Sequence, residues 1–384
     1  MNSTRDIPFG RPWLDDVDRN AVIEVLQGHI LTHGPKCAEF ETKFQNMMQG
    51  GYAVTTSSCM ASLHLAAIWY NFGPGDEIIV PAQTHVATVH AVELVGAKPI
   101  FVDCVAETGN IDPELIEAAI SDKTKGIFLV HFAGIPAQMD SIMGIAKRYD
   151  LIVVEDCALA VGSLFDGKHV GLFGNVGCFS FYPVKHITTG EGGMLVSNDK
   201  ETANNIANFR AFSVDRTHGE RKIPGVYDVT GVGMNYRMSE MQAALGCTQV
   251  DKIPDILYQR SQNFKYLKNG LSEIEHVNIL DSTDSRAQNS HYCLIMVLNK
   301  SSRDARGRVI EKMKQRGIGT SVYYPQPVPR MEYYKSKYGY SSKHFPNAEL
   351  ISDCSIALPV GPHLGINEME YICTNTLSIL KEEI

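Results

Sequence analysis

The sequence predicts an α/β fold: a large domain with a mostly parallel seven-stranded sheet flanked by helices, followed by a smaller α+β part. In the first half of the chain, short β-branched or apolar runs alternate with helical stretches. The runs are apolar throughout, which is typical of strands buried on both faces of a sheet. Helices must then cover both faces. The expected strands are 52–55, 77–80, 99–102, 126–130, 151–155, 177–181 and 193–197.

Periodicity and capping residues indicate the helices. Apolar residues recur at helical spacing near the N-terminus and predict a helix over 13–27. Asp112 and Pro113 mark another helix start, because aspartate caps free N–H groups and proline suits the first helical position. Further helices are expected over 60–70, 86–95, 139–149 and 238–270.

The C-terminal third has a different pattern. Strand-like runs at 291–298 and 318–323 are mixed with helical stretches at 304–316 and 367–380. We therefore expect a large domain over 1–250 and a small α+β domain over 251–384. The N-terminal helix at 13–27 could pack with the small domain.

Composition excludes several function classes. The chain has 384 residues, 44% of them hydrophobic, and a net charge of −8, so no basic field favours nucleic acid. No apolar run approaches the roughly 20 residues of a membrane span, and the N-terminus lacks the apolar core of a signal peptide. The nine cysteines form no C-x-x-C pair. We expect free thiols, no metal site and a cytoplasmic protein.

The carboxyl ends of the predicted strands carry the polar groups, and ligands bind there in open α/β sheets. Ser58, Cys59 and Met60 follow the first strand and open a helix, so they form either an anion site or a plain helix cap. Asp156 ends the fifth strand. A carboxylate at such a buried end needs a compensating partner.

Lys185 lies in "SFYPVKHITTGEGGM", where Pro183 ends a strand and glycines prevent a regular helix. It is either a solvated loop residue or a buried amine. A lysine packed among aromatic groups has a lowered pKa and becomes nucleophilic. Together with Ser180 at the same strand end, Asp156 and the anion site, it matches what pyridoxal 5′-phosphate (PLP) requires.

These segments resemble the sugar aminotransferases of DegT type, within the fold-type-I PLP enzymes. The resemblance is strongest over "VVEDCALAVGSLFDGKHVGLFGNVGCFSFYPVKHITTGEGGMLV" and extends through "GVGMNYRMSEMQAALG" and "GIGTSVYYP". It implies that Lys185 forms the Schiff base and that Asp156 pairs with the pyridine nitrogen. The implied phosphate contacts are Ser58, Ser180 and the backbone of Cys59 and Met60.

The resemblance also implies a homodimer with shared active sites, in which Asn235 reaches the neighbouring subunit's phosphate. His85 lies where the family stacks an aromatic ring on the cofactor. Three positions depart from the family pattern: Cys59-Met60 replaces Gly-Thr, Leu159 replaces Gln or His, and His85 is smaller than the usual aromatic residue.

The expected activity is transamination of a keto-sugar with L-glutamate as amino donor. The leading substrate is a nucleotide-linked 4-keto-6-deoxy hexose, and the runner-up is a free keto-sugar such as an 8-oxo derivative of a 3-deoxy-octulosonate. Such an enzyme would serve surface polysaccharide or lipopolysaccharide synthesis. A PLP-binding regulator without turnover is the remaining alternative. Candidate substrate contacts are Tyr323, Tyr324, His33 and His186.

Overall fold

The computed structural model describes residues 5–215, 223, 226–272, 274–299, 303–340 and 344–384; residues 1–4 of the N-terminal segment lie outside these ranges. Its centre is a seven-stranded sheet. All seven predicted strands are confirmed, with small shifts at their ends. They are β1 (Tyr52–Thr56), β2 (Glu77–Pro81), β3 (Lys98–Val102), β4 (Thr124–Val130), β5 (Ile152–Asp156) and, after the short strands β6 (Leu164–Phe165) and β7 (Lys168–His169), β8 (Val176–Ser180) and β9 (Gly193–Ser197).

The strand order β1-β9-β8-β5-β4-β2-β3 places the functional strand ends side by side. Only β9 runs antiparallel to its neighbours, and the other pairs are parallel. The carboxyl ends of β1, β5 and β8 therefore meet at one edge of the sheet. Thr56 and Ser180 both lie opposite Gly193, one on each side of β9.

Helices cover the sheet, as the apolar strands require. The first nine are α1 (Asp16–Gln27), α2 (Pro35–Met48), α3 (Cys59–Trp69), α4 (Val86–Leu94), α5 (Pro113–Ala119), α6 (Met139–Tyr149), α7 (Lys200–Phe209), α8 (Glu240–Asp251) and α9 (Ile253–Leu271). Helix α3 is apolar nearly all round and packs against β8, β9 and α4. Such a helix belongs inside the protein.

The helical segment predicted over 238–270 is confirmed, and it is divided into two helices that meet at Lys252. Pro254 lies in the first turn of α9, where its missing N–H costs no helical hydrogen bond. Helix α1 lies along α8. The Asp18 carboxylate accepts hydrogen bonds from the Thr248 hydroxyl (2.6 Å) and the Gln249 amide (3.1 Å).

The C-terminal part contains a second, antiparallel sheet of β10 (Val277–Ile279), β12 (Leu294–Leu298) and β13 (Ser355–Leu358), while β11 (Ala287–Gln288) pairs with β6. Its helices are α10 (Ala305–Gln315), α11 (Glu332–Tyr338), α12 (Pro346–Cys354) and α13 (Ile366–Glu383). The division of domains near residue 250 stays a prediction.

The strand predicted over 318–323 is wrong. The segment forms only single bridges, from Ile318 to Ile7 and from Ser321 to Ala357. The Tyr323 carbonyl instead accepts a hydrogen bond from the Gln83 side-chain amide (2.9 Å). The Tyr323 carbonyl is thus bonded to the Gln83 side chain and not to the backbone N–H of a neighbouring strand.

No disulfide joins the nine cysteines, all of which lie within the described ranges. Within the same ranges, the helices are too short or too polar to cross a bilayer.

Candidate active site

Lys185 lies at the carboxyl edge of the sheet, in a turn just beyond β8. Its backbone N–H donates to the Tyr182 carbonyl (2.9 Å), which fixes the turn. Its ammonium lies 5.3 Å from the centre of the Tyr292 ring. Burial lowers the pKa of Lys185, and the nearby groups Asp156, Cys59 and Cys293 partly oppose that shift. More of the amine is therefore neutral near pH 7 than in an ordinary lysine.

Asp156 ends β5 and is only 3% exposed. Its Oδ2 accepts a hydrogen bond from the Thr88 hydroxyl (2.7 Å), and its Oδ1 accepts one from the Ala158 N–H (3.0 Å). The Thr84 hydroxyl lies 2.8 Å from that of Thr88 and can donate to it. Among the ion pairs of the described residues, none involves Asp156. The carboxylate is held in place by neutral donors and remains available to a cationic ligand.

Glu155, its neighbour, has a different role. Its Oε1 accepts hydrogen bonds from the N–H groups of Phe173 (2.8 Å) and Gly174 (2.6 Å). Its Oε2 accepts from the Gly171 N–H (2.6 Å) and from His131 Nε2 (2.9 Å). Four donors thus satisfy this buried carboxylate, so it anchors the 171–174 loop.

His131, Glu155 and Cys157 bring potential metal-binding atoms within 4.8 Å of one another. His131 Nδ1 accepts from the Ala137 N–H (3.0 Å), so the ring proton lies on Nε2 and is donated to Glu155. Burial raises the pKa of the Cys157 thiol well above its usual value. The lone pairs that a metal would need are already engaged or protonated, which favours a structural network.

An anion cradle lies beside Lys185. The Ser58 hydroxyl caps α3, and the N–H groups of Cys59 and Met60 occupy the first turn, where no helical carbonyl accepts them. Ser180 lies on the other side of β9 from the start of α3. Gly193 of β9 lies between Ser180 and Ser58. A Cβ at Gly193 would come within 2.4 Å of the Ser58 carbonyl carbon, so only glycine lets the two segments meet.

The Cys59 side chain also faces the site. Its Sγ lies 3.4 Å from the Cys178 carbonyl oxygen and 3.8 Å from Asp156 Oδ1. Burial raises the pKa of this thiol well above its usual value. It is therefore a neutral donor beside the carboxylate, whereas the sequence assigned Cys59 a backbone role only.

A series of contacting aromatic rings extends from α4 to the Tyr292 ring beside Lys185. His85 caps α4 and contacts Tyr324 edge-on, with ring centres 5.6 Å apart. Tyr324 contacts Tyr323 (5.4 Å), and the Tyr323 hydroxyl lies 2.8 Å from that of Tyr292. Burial raises the pKa of Tyr323 to about 12, so both phenols are protonated at neutral pH. Tyr292 was missed because it lies in a run predicted as a strand, where an aromatic residue is ordinary.

Other predicted residues lie elsewhere. His33 is exposed in the loop between α1 and α2, and Asn235 is exposed on a segment bridged to Ala211. His186 is buried, and its Nε2 lies 3.1 Å from the Ser290 carbonyl; its contact with substrate stays a prediction. Leu159 is 1% exposed and belongs to the apolar core that also includes Cys59.

A partly buried amine with a lowered pKa, a fixed carboxylate and an anion cradle at one sheet edge define an enzyme site suited to an aldehyde cofactor with a phosphate. Residues 12–376 match the DegT/DnrJ/EryC1/StrS aminotransferase family, and the chain belongs to this family. The protein is thus a PLP-dependent aminotransferase.

Relatives of known sequence or structure agree over almost the full length. The chain is 31% identical over 379 residues to the spore coat polysaccharide biosynthesis protein SpsC of Bacillus subtilis, covering 98% of this chain and 97% of SpsC. The PMP-form of Spr1654 from Streptococcus pneumoniae has a TM-score of 0.94 at 27% identity, over 99% and 100% of the two chains. Its PLP-form has a TM-score of 0.92.

Helicobacter pylori PseC, an aminotransferase involved in the biosynthesis of pseudoaminic acid, is a further structural neighbour. Its TM-score is 0.91 at 26% identity, with 98% of this chain and all of PseC covered. The residues at the sheet edge fit PLP. Lys185 supplies an amine, and Asp156 supplies a carboxylate that forms no ion pair among the described residues. The first turn of α3 supplies backbone N–H groups that no helical carbonyl accepts.

Proposed function

We propose that the enzyme transfers an amino group from L-glutamate to a keto-sugar, with Lys185 as the amine that binds PLP. One observation carries this proposal: Lys185, its pKa lowered by burial, lies beside the buried carboxylate of Asp156 in a chain of this family. Bound PLP supplies an aldehyde for the amine and a conjugated ring that withdraws electrons.

The chain's own groups have distinct roles in this proposal. Lys185 Nζ would bind the cofactor, and once free its amine would take the proton from the alpha carbon of the donor amino acid and deliver it to the cofactor carbon. Asp156 would hold a proton on the cofactor's ring nitrogen, because Thr88 fixes its position and no basic side chain among the described residues forms an ion pair with it. The Tyr292 ring, 5.3 Å from the Lys185 amine, would keep water from it.

The cradle at α3 is proposed to bind the phosphate. The N–H groups of Cys59 and Met60 and the hydroxyls of Ser58 and Ser180 provide donors, and the positive end of the helix dipole favours an anion. His85 is proposed to stack on the cofactor ring. Its exposed position at the start of α4, next to Tyr324, leaves one face of its ring accessible.

A homodimer with shared sites is the proposed assembly. Asn235 is exposed, so it can reach a second subunit's cradle. The same surface exposes several large apolar residues, and Val232 is 87% exposed. A dimer related by a twofold axis would bury this patch on both copies and complete both sites at once. The exposed apolar residues of this patch are Phe212, Val226, Tyr227, Val229 and Val232.

A nucleotide-linked 4-keto-6-deoxy hexose is the leading acceptor, and a free 8-oxo-3,8-dideoxy-octulosonate is the alternative. Support for a sugar comes from the polysaccharide and pseudoaminic acid pathways named for SpsC and PseC. Either product would serve surface polysaccharide or lipopolysaccharide synthesis. We place the enzyme in the cytoplasm, in keeping with nine cysteines that form no disulfide.

The experiment is transfer of ¹⁵N from labelled L-glutamate to each acceptor, followed by mass spectrometry of the sugar. Label in the nucleotide-linked sugar alone supports the leading proposal, and label in the octulosonate alone supports the alternative. If the protein binds PLP but labels neither sugar and produces no 2-oxoglutarate, it is a regulator and the proposed activity is wrong. Lys185→Ala is the control, since it should transfer no label to any acceptor.

A further inference from the structure

Arg260 is a buried cation for which the catalytic roles above give no reason. It lies on α9 and is 5% exposed, yet no carboxylate pairs with it among the described residues. Burial lowers its pKa to about 10. A buried charge without a counter-ion is expensive, so the contacts that Arg260 does make must matter for the fold or for the site.

Those contacts are with the segment that carries Tyr292. Arg260 Nη1 donates a hydrogen bond to the Tyr292 carbonyl (2.7 Å) and lies 3.4 Å from the His291 carbonyl. Its guanidinium lies 5.9 Å from the centre of the Tyr292 ring. The Lys185 ammonium lies 5.3 Å from the same ring. Tyr292 is thus in contact with both Arg260 and Lys185.

Two further contacts hold the same segment. His186, next to Lys185 in sequence, places Nε2 3.1 Å from the Ser290 carbonyl. The backbone N–H of His291 donates to the Asn289 side chain (2.6 Å), and His291 adopts a left-handed backbone (φ 53°) that side chains seldom favour. The segment 290–292 is therefore held in an uncommon conformation by side chains from outside it.

We infer that Arg260 is a positioning residue: by binding the carbonyls of His291 and Tyr292, it holds the Tyr292 ring against Lys185 and keeps water from the amine. The inference rests on the proposed role of Lys185. The other groups facing Lys185 are the Asp156 carboxylate from β5, the Cys59 thiol from α3, the Cys293 thiol beside β12, the His85 imidazole from α4 and the neighbouring His186 imidazole. None of these is bound by Arg260.

The test measures the Lys185 pKa in cofactor-free protein, by NMR of lysine labelled with ¹³C at Cε. The signal is assigned by its absence in Lys185→Arg. Arg260→Met should let the Tyr292 ring move away and water approach Lys185. The Lys185 pKa should then rise by about one unit, which is part of the shift of several units that full burial can cause. The exposed Lys265→Met on the same helix is the control and should leave the pKa unchanged.

A double-mutant cycle separates positioning from a direct effect of the Arg260 charge, since removing a nearby cation would also raise the Lys185 pKa. If Arg260 acts through Tyr292, then Arg260→Met adds no further shift in a Tyr292→Ala background. An equal shift in both backgrounds, or no shift with Tyr292 present, would overturn the inference. Should Arg260→Met not fold, Arg260→Gln carries the same comparison, because the shorter side chain removes the guanidinium from the His291 and Tyr292 carbonyls.

The experiment is independent of cofactor binding. If reduction of the PLP-loaded enzyme labelled another lysine, the proposed function would fail while the titration result still stood. If Arg260→Met left the Lys185 pKa unchanged while that lysine still bound PLP, only the positioning role would fail.

Discussion

Glu155→Gln should destabilise the protein far more than its small change in shape implies. In the wild type each carboxylate oxygen accepts two N–H donors, from Phe173 and Gly174 on one side and from Gly171 and His131 on the other. In glutamine, one of the two ends becomes an NH₂ group that faces donors. His131 cannot reverse its proton easily, because its Nδ1 already accepts from a backbone N–H.

Two charge-assisted hydrogen bonds are lost, at about 1.5–3 kcal/mol each, so the free energy of unfolding should fall by about 3–6 kcal/mol. Urea unfolding of the cofactor-free protein measures this. Glu77→Gln is the matched control: that carboxylate lies at the start of β2 and pairs with Lys98 on a partly exposed edge, and the change should cost at most about 1 kcal/mol. A loss of less than about 1 kcal/mol for Glu155→Gln would refute the four-donor arrangement.

Three further predictions concern the site. Thr88→Val removes the donor to Asp156 Oδ2 and should weaken PLP binding about tenfold in equilibrium dialysis. Thr88→Ser keeps the hydroxyl and should keep the affinity. Equal affinities for both variants would show that this hydrogen bond does not contribute to cofactor binding. The rate of PLP uptake should rise with pH through a midpoint below the ordinary lysine pKa of 10.5. Asp156→Asn should lower that midpoint further, because the Asp156 carboxylate raises the Lys185 pKa. A higher midpoint in the variant would contradict this effect of Asp156. Mixing inactive Lys185→Ala and Asn235→Ala subunits should restore about a quarter of wild-type activity through one intact site per mixed dimer, and no recovery after subunit exchange would argue against a shared site.

The sheet was predictable because its strands are buried on both faces and their apolar runs reveal this without tertiary information. Helix α2 carried a signal that was overlooked: Pro35 opens it, and Phe40, Phe44 and Met48 recur every fourth residue on its buried face. Pro254 likewise marked the break between α8 and α9. The single bridges at 318–323 were not predictable, since their partners Ile7 and Ala357 are far away in the sequence.

Some residues of the site were predictable from the sequence and others were not. Lys185, Asp156 and the α3 cradle follow strand ends, so the sequence order places them at one edge of the sheet. Tyr292 and Arg260 come from the C-terminal half of the chain, and local sequence carries no signal of their contact. Asn235 is exposed, and its proposed place in a partner's site depends on an assembly that a single chain does not reveal.

The most direct test of the central claim is to reduce the PLP-loaded enzyme with borohydride and map the modified peptide. We expect the cofactor's mass on Lys185, within the peptide that follows β8, and no stable modification in Lys185→Ala. Modification of a different lysine in the wild type, with Lys185 left unmodified, would contradict the assignment of the active site.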